Sequence, residues 1–157
     1  MGTAGWIVVG AAALAVIAVV VAVAVLLLGS GGSRGQAPGP EQVRRGEEIY
    51  QASCASCHGA RGEGDPNWRT RNADGSFKSP PHDNSGHTWH HGDGQLFNIV
   101  KHGGQGYAGP GLASRMPGFG EQLSDQEIRA VIAFLKSFWG AEERRYQAEV
   151  SRSDPLP

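Results

Sequence analysis

At 157 residues the chain is long enough for one compact domain and little more. Its 14 Lys and Arg against 15 Asp and Glu give a formal net charge of -1, so the basic excess that a nucleic-acid partner calls for is missing. With 24 Gly and 9 Pro the composition predicts long irregular loops, and therefore something besides a packed core to hold them.

The first segment, WIVVGAAALAVIAVVVAVAVLLL, is an uncharged apolar run from Trp6 to Leu28. As a helix it measures roughly 35 Å, enough for a bilayer core of about 30 Å. A cleaved signal peptide is the competing reading. The run is longer than an ordinary signal core, however, no basic residue precedes it, and no clear small-x-small cleavage site follows. Residues 1–28 are therefore expected to form a transmembrane anchor. The flanking charges pull the other way on orientation: Arg34, Arg44 and Arg45 all follow the span, which alone favours a cytoplasmic C-terminal part. Residues 29–40, GSGGSRGQAPGP, read as a flexible linker with a root-mean-square reach of about 20 Å.

From Glu41 the pattern becomes helical. Val43, Gly46, Ile49, Tyr50 and Ser53 fall on or near one face and lead directly into Cys54. A shorter helix is predicted for DGQLFNIVKHG, capped by Asp93 and ended by Gly103, with Leu96, Phe97, Ile99 and Val100 available for burial. In SDQEIRAVIAFLKSFWG, Ser124 is the predicted N-cap with Glu127 three residues on. Apolar positions recur at 128, 131, 132, 135 and 138, and Gly140 is the stop. The charged tail, 141–157, is expected to continue that helix before fraying. No alternating run suggests a strand, so the predicted class is all-α, with a main domain at 41–140.

The only two cysteines lie in Cys54-Ala55-Ser56-Cys57-His58. A structural zinc site needs four ligands, commonly two cysteine pairs, and here there is one pair. A thioredoxin-like thiol pair calls for alternating strands and helices, which the pattern lacks. A disulfide across so short a loop would stabilise little and leave His58 unexplained. Haem attachment accounts for every position. On a helical turn Cys54 and Cys57 share a face from which each can form a thioether, while His58 offers its imidazole to iron. A large apolar cofactor also lets a glycine-rich chain fold around it. Apart from Met1 the sole methionine is Met116, in ASRMPGFG. Pro117 and Gly118 beside it favour a loop that can hand the thioether to iron, against the bland reading of a Met filling a small core.

These residues resemble the class I c-type cytochromes, small mono-haem electron-transfer domains, over about residues 41 to 140. The resemblance rests on CASCH, on Gly46 and Tyr50 in the preceding helix, on RMPGFG and on LSDQEIRAVIAFLKS. The segment from Gly64 to Gly103 looks like that of a bacterial membrane-anchored or exported branch. The resemblance implies one covalent haem c with His58 and Met116 as axial ligands. It also implies a close crossing of Gly46 and Tyr50 with the region of Ala133 and Phe134. It further implies a proline carbonyl that accepts a hydrogen bond from the His58 ring, with Pro66 the first choice and Pro80 or Pro81 the alternatives. Haem is attached to such domains outside the cytoplasm, so the periplasmic side is expected despite the arginine count.

Five of the six histidines, His82, His87, His90, His91 and His102, lie after the motif. HTWHH suits copper or an alternative axial ligand; the competing reading is a haem-edge or solvated loop with Trp89 packed on the cofactor. The expected function is one-electron transfer between membrane-bound donor and acceptor complexes, not catalysis, because two axial ligands leave iron no vacant position. The alternatives are a haem- or copper-handling enzyme or sensor, and a haem-bearing subunit of a respiratory or photosynthetic complex.

Overall fold

In the computed structural model, which describes residues 38–157 with the exception of Leu112, the first helix opens at Pro40. Helix α1 (Pro40–Ser53) starts there because proline's missing N–H costs nothing at a first position. The expected anchor at 1–28 and the linker as far as residue 37 lie outside the described residues. Among the described residues no helix is long and apolar enough to cross a membrane. A short α2 (Ala55–His58) follows, then α3 (Asp93–His102), α4 (Asp125–Leu135) and α5 (Ala141–Ser153). Three 3-10 turns intervene at Thr88–His90, Gln105–Tyr107 and Lys136–Phe138. There is no strand among the described residues, only isolated bridges at Arg71–Phe77 and Ser76–Ala113, in keeping with the all-α expectation.

The packing is organised by α4. On one side Val131, Phe134 and Leu135 join Ile49 and Tyr50 of α1; on the other Ile128 and Ile132 join Leu96, Phe97 and Val100 of α3 together with Trp139. The α1–α4 crossing is close because Gly46 has no side chain: a Cβ there would lie 1.9 Å from the Ala130 carbonyl oxygen and 3.0 Å from Phe134 Cβ. The contact expected with Ala133 and Phe134 thus falls on Ala130 and Phe134. The Tyr50 ring packs 5.3 Å from that of Phe134. Ser124 caps α4 as predicted, its hydroxyl accepting from the Glu127 N–H while Glu127 Oε2 accepts from the Ser124 N–H at 3.0 Å. Arg45 Nη2 also donates to Glu127, at 2.6 Å, tying α1 to the same cap.

Two expectations are corrected. The first concerns the segment beyond Phe138, where the chain turns through an extended Trp139 and Gly140 and begins a separate helix instead of prolonging α4. Gln147 of α5 is 1% exposed, and its amide donates to Asp93 Oδ1 at 2.6 Å and to the His91 carbonyl at 3.2 Å. The second concerns the cap of α3. Gly92 is its N-cap, and Asp93 makes no side-chain cap bond. Asp154, just past α5, instead accepts from the Gln95 N–H at 2.8 Å. Gly92 and Gly94 leave room for it, since a Cβ on either would meet the Asp154 carboxylate within 2.4 Å. A carboxylate brought from beyond α5 does the work expected of a local side chain.

Candidate cofactor site

Cys54 ends α1 and begins α2. Its N–H donates to the Tyr50 carbonyl at 2.8 Å, and its own carbonyl accepts from Cys57 at 3.1 Å and His58 at 3.0 Å. One turn therefore presents both cysteines and the histidine. Gly59, with φ of +79°, ends it, and its carbonyl accepts from Tyr50 Oη at 2.8 Å. Neither cysteine is in a disulfide, and Cys54 is partly buried while Cys57 is exposed. Burial, and then the charge of Cys57, push the Cys54 thiol up to about 11, the reverse of what a poised redox thiolate requires. Among the described residues no three His, Cys, Asp or Glu are grouped to hold a metal ion. That leaves zinc at the cysteines and copper at HTWHH without a ligand set.

The His58 ring is 8% exposed, and its Nδ1 lies 2.9 Å from the Pro80 carbonyl oxygen. A carbonyl only accepts, so Nδ1 carries the proton and Nε2 keeps a lone pair for a metal. Burial lowers the pKa of this ring and the Pro80 bond partly offsets that, so the neutral form is favoured. Pro66, the first choice from sequence, is not the partner. The Asp65 N–H donates to the Ser79 carbonyl at 2.9 Å, so the intervening residues leave as a closed loop and Pro80 arrives beside the motif. Gly64, with φ of +64°, permits that approach, because a Cβ there would stand 2.5 Å from Pro81 N.

His82 stacks on His58 with ring centroids 4.1 Å apart and planes 25° from parallel. Its Nδ1 lies 2.9 Å from Thr88 Oγ1, and burial, with the charges of His58 and His87, drives its pKa well below the usual imidazole value. His87 stacks on Trp68 at 5.4 Å, and His90 on Trp89 at 3.7 Å, with Tyr146 of α5 edge-on to both rings of the latter pair. The exposed His102 ends α3, well suited to the negative end of the helix dipole. Five histidines that lie close in sequence are thus separated by the fold, His82 onto His58, His87 onto Trp68 and His90 onto Trp89.

Met116 is half-buried against the cluster of α3 and α4, while Cys54 and Ala55 pack against the cluster of α1 and α4. The Met116 carbonyl accepts from the Gly104 N–H at 3.1 Å, and its N–H donates to Ser114 Oγ at 3.2 Å. The loop is also held from the 65–79 segment. The Phe77 N–H donates to the Ala113 carbonyl at 2.9 Å, and Arg115 donates to Asp74 Oδ2 through Nε at 3.0 Å and Nη2 at 2.6 Å.

One observation tests whether these residues fit a haem. Trp89 Nε1 is buried and has no hydrogen-bond partner among the described residues. Such a donor is costly unless something else supplies the acceptor. The carboxylates of a haem are acceptors of that kind, and Cys54, Cys57 and the Nε2 lone pair of His58 are groups of the chemistry that attachment and ligation of a haem would need.

A model of the family described as cytochrome C oxidase, cbb3-type, subunit III, matches residues 41–135. No curated protein matches the chain. Among solved structures it is similar to cytochrome cL from Hyphomicrobium denitrificans, at 25% identity and a TM-score of 0.37, covering 60% of this chain and 46% of that one. It is also similar to cytochrome CL from the marine methylotrophic bacterium Methylophaga aminisulfidivorans MPT, at 22% identity and a TM-score of 0.44, covering 80% and 76%. The chain thus spans less than half the length of the first of these. The family match runs unbroken from α1 through the CASCH turn and the Met116 loop to the last residue of α4, more than half of the chain. The protein accordingly belongs to the family of cbb3-type cytochrome c oxidase subunit III, as a mono-haem class I c-type cytochrome with covalently attached haem c.

Proposed function

We propose that the protein is a membrane-tethered one-electron carrier whose haem is held by Cys54 and Cys57 and ligated by His58 and Met116. Haem supplies reversible one-electron exchange at its iron. The cysteine sulfurs would hold it as thioethers, and His58 would ligate through Nε2, with Nδ1–H anchored to Pro80 so that the ring is oriented and made a stronger donor. Met116 would take the sixth position from a loop held on both flanks. A thioether there raises the potential relative to a second nitrogen ligand. Two permanent ligands leave no position for oxygen or peroxide, which favours electron transfer over catalysis. The observation that carries this reading is the His58 ring, buried and committed at Nδ1 to the Pro80 carbonyl, at the end of a turn that presents both cysteines.

The apolar run from Trp6 to Leu28 would anchor the domain on the periplasmic side. A 12-residue linker extends at most about 40 Å, which concentrates the haem domain near membrane-bound donors and acceptors. The intact mass of the protein isolated from membranes tests attachment and tether together. The expected result is one haem added to a chain that retains residues 1–28; a lighter chain lacking them would remove the tether. A second reading, a haem-bearing subunit of a respiratory complex, is favoured by the description of the matching family. Stable co-purification with an oxidase in mild detergent would support it, and recovery of the protein alone would favour the carrier.

A further inference from the structure

We propose that His82 is a positioning residue for the His58 imidazole, a fixed plate that sets the rotation of the iron ligand about its own metal bond. The proposal rests on the reading of His58 as the proximal ligand. The Pro80 carbonyl holds His58 at a single atom, Nδ1, and one hydrogen bond, which tolerates about 30° of misalignment, leaves the ring some rotation about that contact. The His82 ring, 4.1 Å away and 25° from parallel, removes that freedom, since a flat neighbour at this spacing tolerates only near-parallel orientations. One point and one plane together define the ring.

A plate must itself be fixed, and His82 is held at three atoms. Its N–H donates to the Gly62 carbonyl at 2.6 Å, and its carbonyl accepts from Trp139 Nε1 at 2.7 Å. Its ring Nδ1 pairs with Thr88 Oγ1 at 2.9 Å. Thr88 is 5% exposed, and its hydroxyl donates to the Pro81 carbonyl at 3.3 Å. With its one proton spent there, the hydroxyl oxygen accepts from the Nδ1–H of His82. An aliphatic residue would fill the same space, but it would have neither a flat face for His58 nor a bond to Thr88 that fixes the rotation of that face.

The test uses the haem-loaded protein in its oxidised state. Electron paramagnetic resonance g-anisotropy and the spread of haem-methyl NMR shifts both report the plane of the axial imidazole, and neither depends on activity. His82→Leu is expected to change both signals while the iron remains low-spin; Thr88→Val should move them in the same sense and Thr88→Ser, which keeps the hydroxyl, should restore them. His82→Leu with wild-type signals and only a lower unfolding midpoint would reduce His82 to a packing residue and overturn the proposal. If His82→Leu assembles no holo-protein, Thr88→Val decides on the same signals, and a wild-type pattern there overturns it. A wild-type protein without a low-spin, histidine-ligated signal would instead remove the reading of His58, and this proposal with it.

Discussion

Substituting Gly46 by alanine isolates the contact on which the α1–α4 crossing depends. The new Cβ would sit 1.9 Å from the Ala130 oxygen and 2.5 Å from its carbonyl carbon. Both are backbone atoms inside α4, so no side-chain rotation relieves the clash, and one helix must retreat by about 1 Å before the distance becomes tolerable. That retreat loosens Tyr50 and Ile49 from Val131, Phe134 and Leu135. Overpacking of a well-filled core ordinarily costs about 1–3 kcal/mol, and a backbone clash belongs at the upper end. Alanine recovers about 1 kcal/mol of helix propensity over glycine. The net loss is about 2 kcal/mol, a fall in Tm of roughly 8 °C for a domain of this size. Thermal unfolding of the holo-protein followed by far-ultraviolet circular dichroism measures it. An unchanged or raised Tm would mean that helix propensity outweighs the close crossing.

Three further outcomes are expected. Trp89→Phe keeps the packing on His90 and Tyr146 but deletes the unpartnered indole N–H; the holo-protein should lose about 2 kcal/mol in urea unfolding, and no loss would mean that no cofactor carboxylate uses that donor. Asp154→Ala should cost about 1 kcal/mol, as loss of a helix cap does, and an equal stability by denaturant titration would show that α3 is capped otherwise. Asp74, whose carboxyl is held below the usual carboxylate range by bonds from Ser76 and then by Arg115, contributes stability that is complete above the unfolded pKa of about 4 and is lost as pH falls toward the folded value. The gap between wild type and Asp74→Asn should therefore be constant from about pH 5 to 8 and close in stronger acid; a gap that closes toward alkaline pH would reverse the sign.

What the sequence discloses is what short stretches of chain decide among themselves. Ser124 and Glu127 are three residues apart and cap each other, so α4 is predicted from its own first turn. The CASCH turn is likewise local. Pro80 could be named only as an alternative to Pro66, because its place beside His58 depends on a bond between Asp65 and Ser79 that closes the intervening loop. The C-terminal helix was misread for a similar reason: its sequence is charged and offers no apolar stripe, and its attachment comes from Gln147 and Asp154 bonding to residues more than fifty positions upstream. His82 carried one signal, its place two residues beyond Pro80, but only the fold shows that this brings its ring onto that of His58.

The central claim is that His58 and Met116 close the iron's coordination in a haem bound at Cys54 and Cys57. It is tested most directly by the optical spectrum of the purified oxidised protein alongside that of Met116→Ala. With both ligands bound, the expected spectrum is low-spin ferric with a far-red thioether-to-iron charge-transfer band that disappears in the variant. A high-spin wild-type spectrum that takes up cyanide at once would contradict it.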